Sequence, residues 1–241
     1  MLEAKTAEQM VQFLVNQLGG GDGRIALFEP CPREYTATIE KMAGVAYVDC
    51  GRNFSWNCRL DALRKVLLDG VECVFVAQPN FPTGTREPLD SLLPVLEENP
   101  RATLVLDQRW EWEPVTYCDH PQLLQWMGSA HGLLSRLRGS SLTRFENPLP
   151  EGLRWLDAGE QPLQEPGYVS DRADLPGSVL EGDFRISNRN APFALVQKTG
   201  VDSAEVAMIL ESMGIESFFR PSHTWRGGVC VGYTGRGDES G

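Results

Sequence analysis

Residues 76–85, VAQPNFPTGT, put two prolines, an asparagine, two threonines and a glycine directly behind an apolar run. Pro79 and Pro82 fix the backbone and Gly84 tolerates what other residues do not, so with Thr83 they specify a shaped turn. Asp107, in LVLDQRW, is a carboxylate at the end of another apolar run. If both runs are parallel strands, the turn and Asp107 share the rim where such sheets hold ligands, at the C-terminal strand ends. The remaining chemistry is sparse. Of three histidines none has ligand spacing, which points away from zinc. Cys31, Cys50, Cys58, Cys73, Cys118 and Cys230 form no CxxC pair and read as reduced thiols. Cys118 and Cys230 have no sequence neighbour that would activate a thiolate. Trp110, Trp112 and Trp126 flank the rim as pocket lining, core or interface.

The elements that must position this rim follow from periodicity. Residues 6–18 predict a helix that Thr6 can cap, with Met10, Phe13, Leu14 and Leu18 on one face. Strands are expected at 24–30, 45–50, 71–78 and 102–108, and helices at 34–43, 60–68 and 87–99, the last beginning or kinking at Pro94. Strands alternating with helices imply right-handed βαβ units and a mainly parallel sheet. Residues 139–184 are rich in Pro, Gly and Ser and are expected as an irregular linker. A strand at 190–197, a helix at 203–213 and two short strands follow, forming a small α/β unit.

Composition narrows the partners. The chain has 241 residues, enough for one large domain with an appendage. A net charge of −11, from 33 acidic and 22 basic residues, argues against nucleic acid or an anionic membrane as main partner. It leaves room for a local basic pocket taking a small phosphorylated molecule. No apolar run approaches a membrane span, MLEAKTAEQM is no signal peptide, and the expected compartment is the cytoplasm.

The order of these pieces resembles fold-type I enzymes dependent on pyridoxal phosphate (PLP), in particular histidinol-phosphate aminotransferase and threonine-phosphate decarboxylase. TAEQMVQFL is similar to the family's first phosphate-binding helix, and FEPCPREYTATIEKMAGV to its Pro-Thr-Tyr-x-x-Tyr segment. QPNFPTGT resembles Asn-Pro-Asn-Asn-Pro-Thr-Gly-Asn, and LVLDQRW resembles Val-Val-Asp-Glu-Ala-Tyr. SNRNAPFALV and MGIESFFRP are similar to the small domain. The resemblance covers roughly 5–138 and 186–236. It implies an α/β three-layer sandwich of PLP-transferase type, with a large domain at 1–139, the linker at 140–184 and a small C-terminal α/β subdomain at 185–241. Relative to that family the chain is a minimal version or a remnant.

The resemblance also assigns roles. The PLP-transferase family holds its cofactor on a lysine that follows a serine, and proton transfer uses the same amine. Here SAHGLLSRLRG puts Ala130, or in a register shifted by one Ser129, at that position. The four lysines are Lys5, Lys41, Lys65 and Lys198. Asp107 matches the aspartate that pairs with the pyridine nitrogen, or it caps the following turn. Phe81 replaces the asparagine, and Trp110 the tyrosine, that bond the ring hydroxyl; Pro32 replaces the stacking aromatic. The arginine that clamps the substrate carboxylate falls near Gly228, with Arg226 two residues away. Thr6 and Ala7 at a helix start, with Ser129 and Arg138, retain a phosphate cup, though Arg138 is also able to serve a plain ion pair. His131, beside the lost lysine, is either a general base or a structural side chain.

The expected function is a degenerate aminotransferase-like protein, with catalytic residues absent and PLP bound weakly or not at all. It would act as a binding or partner protein, or as a PLP-independent enzyme. The alternative is an active PLP-dependent aminotransferase or decarboxylase acting on a (phosphorylated) amino acid, its amine misplaced in this alignment or supplied by a partner chain, with Lys5 the nearest candidate. A truncated product without activity is a third expectation. The resemblance further implies a homo- or heterodimer.

Overall fold

A computed structural model of the chain describes residues 2–4, 6–18, 24–50, 56–108, 120–128, 133–136, 151, 153–155, 184–186, 193–215, 217–219 and 229–232. The elements run β1 (Leu2–Ala4), α1 (Ala7–Leu18), β2 (Arg24–Glu29), α2 (Arg33–Ile39), β3 (Gly44–Asp49), α3 (Leu60–Leu68), β4 (Val71–Ala77), α4 (Leu89–Glu97), β5 (Thr103–Asp107), β6 (Leu123–Gly128), β7 (Leu133–Arg136), β8 (Leu153–Trp155), β9 (Phe184–Ile186), β10 (Phe193–Lys198), α5 (Ser203–Ser212), β11 (Ser217–Phe219) and β12 (Val229–Gly232).

Two sheets organise them. The larger has the order β3-β2-β4-β5-β6-β7-β1-β8. β3, β2, β4, β5 and β6 are parallel, and β7, β1 and β8 extend the sheet antiparallel. Alternate residues of each strand enter opposite layers, as the two-residue period of a strand demands. Ile25, Leu27, Cys73, Phe75, Val105, Leu124 and Trp126 pack with α1 and α2. Ala26, Phe28, Val74, Val76, Leu104 and Leu106 pack with α3 and α4. Helices on both faces of a parallel sheet make the three-layer sandwich expected from the sequence.

The smaller sheet, β11-β12-β10-β9, is antiparallel, and Val206 and Leu210 of α5 join its core. It matches the small α/β unit, with β9 added.

Three local expectations shift. α4 runs through Pro94 from Leu89, because Leu89, Leu92, Val95 and Leu96 are all buried and offset the bond that proline forfeits. α2 stops at Ile39, and tight Met42-to-Ile39 and Ala43-to-Ile39 backbone bonds lead into β3. The segment expected as linker contributes β8 to the larger sheet, where it pairs with β1; the rest of 139–184, apart from Glu151 and Phe184, lies outside the described residues.

Candidate functional site

At the C-terminal rim, Ala77 of β4 and Asp107 of β5 stand in register, and the Gln78 N–H donates to the Asp107 carbonyl at 2.7 Å. Asp107 follows Val105 by two residues, so its side chain enters the layer formed with α1 and α2. It is fully buried. The Tyr35 hydroxyl, from α2, donates to Asp107 Oδ2. Tyr35 is itself fully buried, its ring 6.5 Å from that of Trp126 at 30° and 5.5 Å from that of Phe75 at 59°. Aromatic packing therefore fixes the phenol, and the phenol fixes the carboxylate. A buried carboxylate without such a donor is strongly unfavourable.

The turn after β4 spends its polar groups on its own chain. The Asn80 amide donates to the Pro30 carbonyl at 3.0 Å. The Asn80 N–H donates to the Thr85 carbonyl at 2.7 Å, and the Gly84 N–H to the Asn80 carbonyl at 2.6 Å. Gly84 takes a φ of +68°, which only glycine adopts freely, and this closes the turn. The Thr83 and Thr85 hydroxyls lie 2.7 Å apart. Phe81, at the position the resemblance gives to a ring-hydroxyl donor, is buried with 5% of its surface exposed. Gln78 turns back to the far end of the loop: its Oε1 accepts the Glu87 N–H at 2.9 Å and its Nε2 donates to the Glu87 carbonyl at 3.3 Å.

The other assigned positions divide. Thr6 caps α1, its hydroxyl accepting the Gln9 N–H at 3.2 Å, as expected. Ala7 opens the helix, half-buried, and Glu8 puts an acid in the first turn, where it competes with any anion for the helix dipole. Ser129, Ala130, His131, Arg138, Arg226 and Gly228 lie outside the described residues, as do Lys5, Trp110, Trp112 and Cys118. Trp126 is core. Lys41 and Lys65 are exposed, on the turn after α2 and on α3, and Lys198 Nζ sits 5.1 Å from the centroid of the Phe184 ring beside the smaller sheet. Burial pushes the Cys50, Cys58, Cys73 and Cys230 thiols above their ordinary range, so none is a ready nucleophile.

Two residues at this rim escaped the sequence. Tyr35 was visible only as the second tyrosine of the Pro-Thr-Tyr-x-x-Tyr pattern, and its partner is 72 residues away. Glu87 is 3% exposed, and burial holds its carboxyl up at about 7. Its only sequence signal was a charged residue directly before a proline-capped helix.

Fitted against PLP, the rim gives a split answer. Asp107, oriented by Tyr35, has the chemistry to face a pyridinium nitrogen. Phe81 offers that ring no donor, and none of the three lysines among the described residues stands at the rim. Among the described residues, then, the rim offers a partner for a pyridinium nitrogen and no amine for an aldehyde.

No known family's sequence profile matches the chain. It is 27% identical over 124 residues to the histidinol-phosphate aminotransferase of Sodalis glossinidius (strain morsitans), a match that takes in 50% of this chain and 32% of that enzyme. Among solved structures, the histidinol-phosphate aminotransferase of Clostridium acetobutylicum superposes with a TM-score of 0.69 at 12% identity, over 97% of this chain and 78% of that one. An aspartate aminotransferase of Thermus thermophilus gives a TM-score of 0.68 at 14% identity, over 96% and 74%. A PLP-bound C-S lyase of Staphylococcus hominis gives 0.51 at 15%, over 58% and 42%. The chain resembles PLP-dependent aminotransferases, and its fold is the three-layer fold of that group.

Proposed function

We propose that this chain is a degenerate aminotransferase-like protein that does not hold PLP covalently. It acts as a binding or partner protein, or as a PLP-independent enzyme, in the cleft at the C-terminal rim. The observation that carries this is the turn at 78–85: Asn80, Gln78 and the two threonines are bonded to the chain itself, and Phe81 is buried where a ring-reading donor is needed. The ligand is a small phosphorylated or amino-acid-like molecule, with Thr6, Ala7, Ser129 and Arg138 as phosphate cup, Asp107 as ring contact and Arg226 toward a carboxylate. The proposal takes the large domain as 1–139 and the small one as 185–241, with Leu153–Trp155 in the connecting 140–184 returning to the larger sheet. It also takes the protein as cytoplasmic and dimeric; no described helix is long and apolar enough to cross a membrane.

A second reading, an active PLP-dependent aminotransferase or decarboxylase, is favoured by the Tyr35–Asp107 pair, since a buried carboxylate positioned this firmly suits a pyridinium partner. Its amine would come from Lys5 or a partner chain. An absorption spectrum after incubation with PLP and desalting, with and without borohydride, separates the two. A colourless protein is the expected result. A retained band that reduction fixes to one lysine overturns the proposal and names the amine.

A further inference from the structure

Glu87 closes the loop that begins at Gln78, and its two halves face different parts of the fold. Its backbone is tied to the end of β4 through the Gln78 amide. Its side chain reaches the strap of residues 56–58 ahead of α3. There the Cys58 N–H donates to both carboxyl oxygens, at 3.1 and 3.0 Å, and the Asn57 side chain bonds to it as well. Two further contacts close the seam: Asn57 Nδ2 donates to the Arg86 carbonyl at 2.8 Å, and the Thr85 hydroxyl to the Trp56 carbonyl at 3.4 Å. The strap is strained, because Trp56 takes a φ of +64°, a left-handed conformation that a bulky side chain disfavours. A strained segment whose backbone N–H is bonded to a buried acid opens more readily when that acid no longer favours the closed state.

We propose that Glu87 is a proton-sensitive latch: neutral, it keeps the 56–58 strap closed on the loop from β4; ionised, it favours a local opening in which its carboxylate meets water. Burial raises its carboxyl from an ordinary 4.5 to about 7, and the Cys58 N–H and Asn57 amide offset only part of that. The groups that face it do not titrate in the same window. Cys50, at the end of β3, and Cys58, in the strap, are both held high by burial first and then by the Glu87 charge. Asp61 of α3, which adds to the field at Cys58, is held low by its bond to Arg59. Exposed Asp49 of β3 acts on Cys50. With the closed-state value above the open-state value, the opening constant rises about tenfold per pH unit from about 4.5 to about 7 and levels off above. This latch stands whether or not the cleft holds a cofactor.

Hydrogen exchange on the whole protein tests it, with protection factors taken between pH 5 and 8 for the peptide spanning 56–59 and, as reference, for β5. Protection of the strap is expected to fall about tenfold per unit up to about pH 7 and then level, while β5 keeps its protection. Glu87→Gln, which keeps an acceptor and removes the proton, flattens the strap profile, and Cys50→Ala leaves its slope in place. A flat wild-type profile, equal slopes in strap and β5, an undiminished slope in Glu87→Gln, or a slope lost in Cys50→Ala each overturns the latch. If Glu87→Gln does not fold, the strap and β5 of the wild-type protein decide between these outcomes.

Discussion

Two stretches of one rim are stabilised in opposite ways. Asp107 is fixed by a side chain from another layer, with Tyr35 wedged between Trp126 and Phe75. The 78–85 turn is fixed by many small bonds instead, some among its own threonines and glycine and others from Gln78, Asn80 and Thr85 to Asp107, Pro30, Glu87 and Trp56. A position held by packing keeps its orientation even when no ligand calls for it. The side-chain amide and hydroxyls of the turn are bonded to the protein itself, and Phe81 brings an apolar side chain where the resemblance gives a donor. The frame of a ligand site and its means of reading a ligand are therefore separable, and the proposed function takes them to have parted here.

The strongest way to break that contrast is to remove its aromatic support. Trp126→Ala is expected to cost about 3–5 kcal/mol in urea unfolding, because it hollows the layer that carries Tyr35. A loss below about 1 kcal/mol would mean that Asp107 is held by other means.

Next comes the acid at the far end of the turn. The folded chain holds the Glu87 proton up to about 7 against an ordinary 4.5, so this residue's stabilising contribution is complete below about 4.5 and is lost as pH rises through about 7. The loss amounts to about 3 kcal/mol. Unfolding of the wild type against Glu87→Gln from pH 4.5 to 8 should show the variant gaining on the wild type as pH rises. A variant that loses ground to the wild type as pH rises reverses the sign.

Tyr35→Phe keeps the ring and deletes the donor to Asp107. It should cost about 1–3 kcal/mol, the range for taking a hydrogen-bond partner from a buried polar group. Asn80→Ala, which removes the amide bonded to Pro30, should cost about 1–2 kcal/mol. If Asn80→Ala proved the more damaging of the two, the turn would be the firmer half of the rim.

What the sequence made legible divides along similar lines. β2, β4 and β5 are continuous apolar runs sealed on both faces, and α1 and α3 carry single apolar stripes, so period and length found them. β1, β7, β8 and β9 are three or four residues long, and such strands are defined by partners far along the chain rather than by their own pattern. β6, LLQWMG, is apolar enough to be seen, but its ordering depends on β5 on one side and β7 on the other. At the rim, Pro79, Pro82 and Gly84 announced the turn and Asp107 its strand end. Glu87 could not be found that way, because its burial arises where the loop folds back on residues 56–58.

The seating of β1 between β7 and β8 has a consequence for how the chain is made. Leu2–Ala4 pairs with Leu133–Arg136 on one side and with Leu153–Trp155 on the other. During synthesis β1 must wait until the chain has grown as far as residue 133 before the nearer ladder can form. The parallel strands, whose partners lie closer in sequence, can assemble well before that. Closure of this sheet edge is thus a late, high-contact-order event. A ribosome paused before residue 133 would present a nascent chain in which both edges of β1 are still open to other chains.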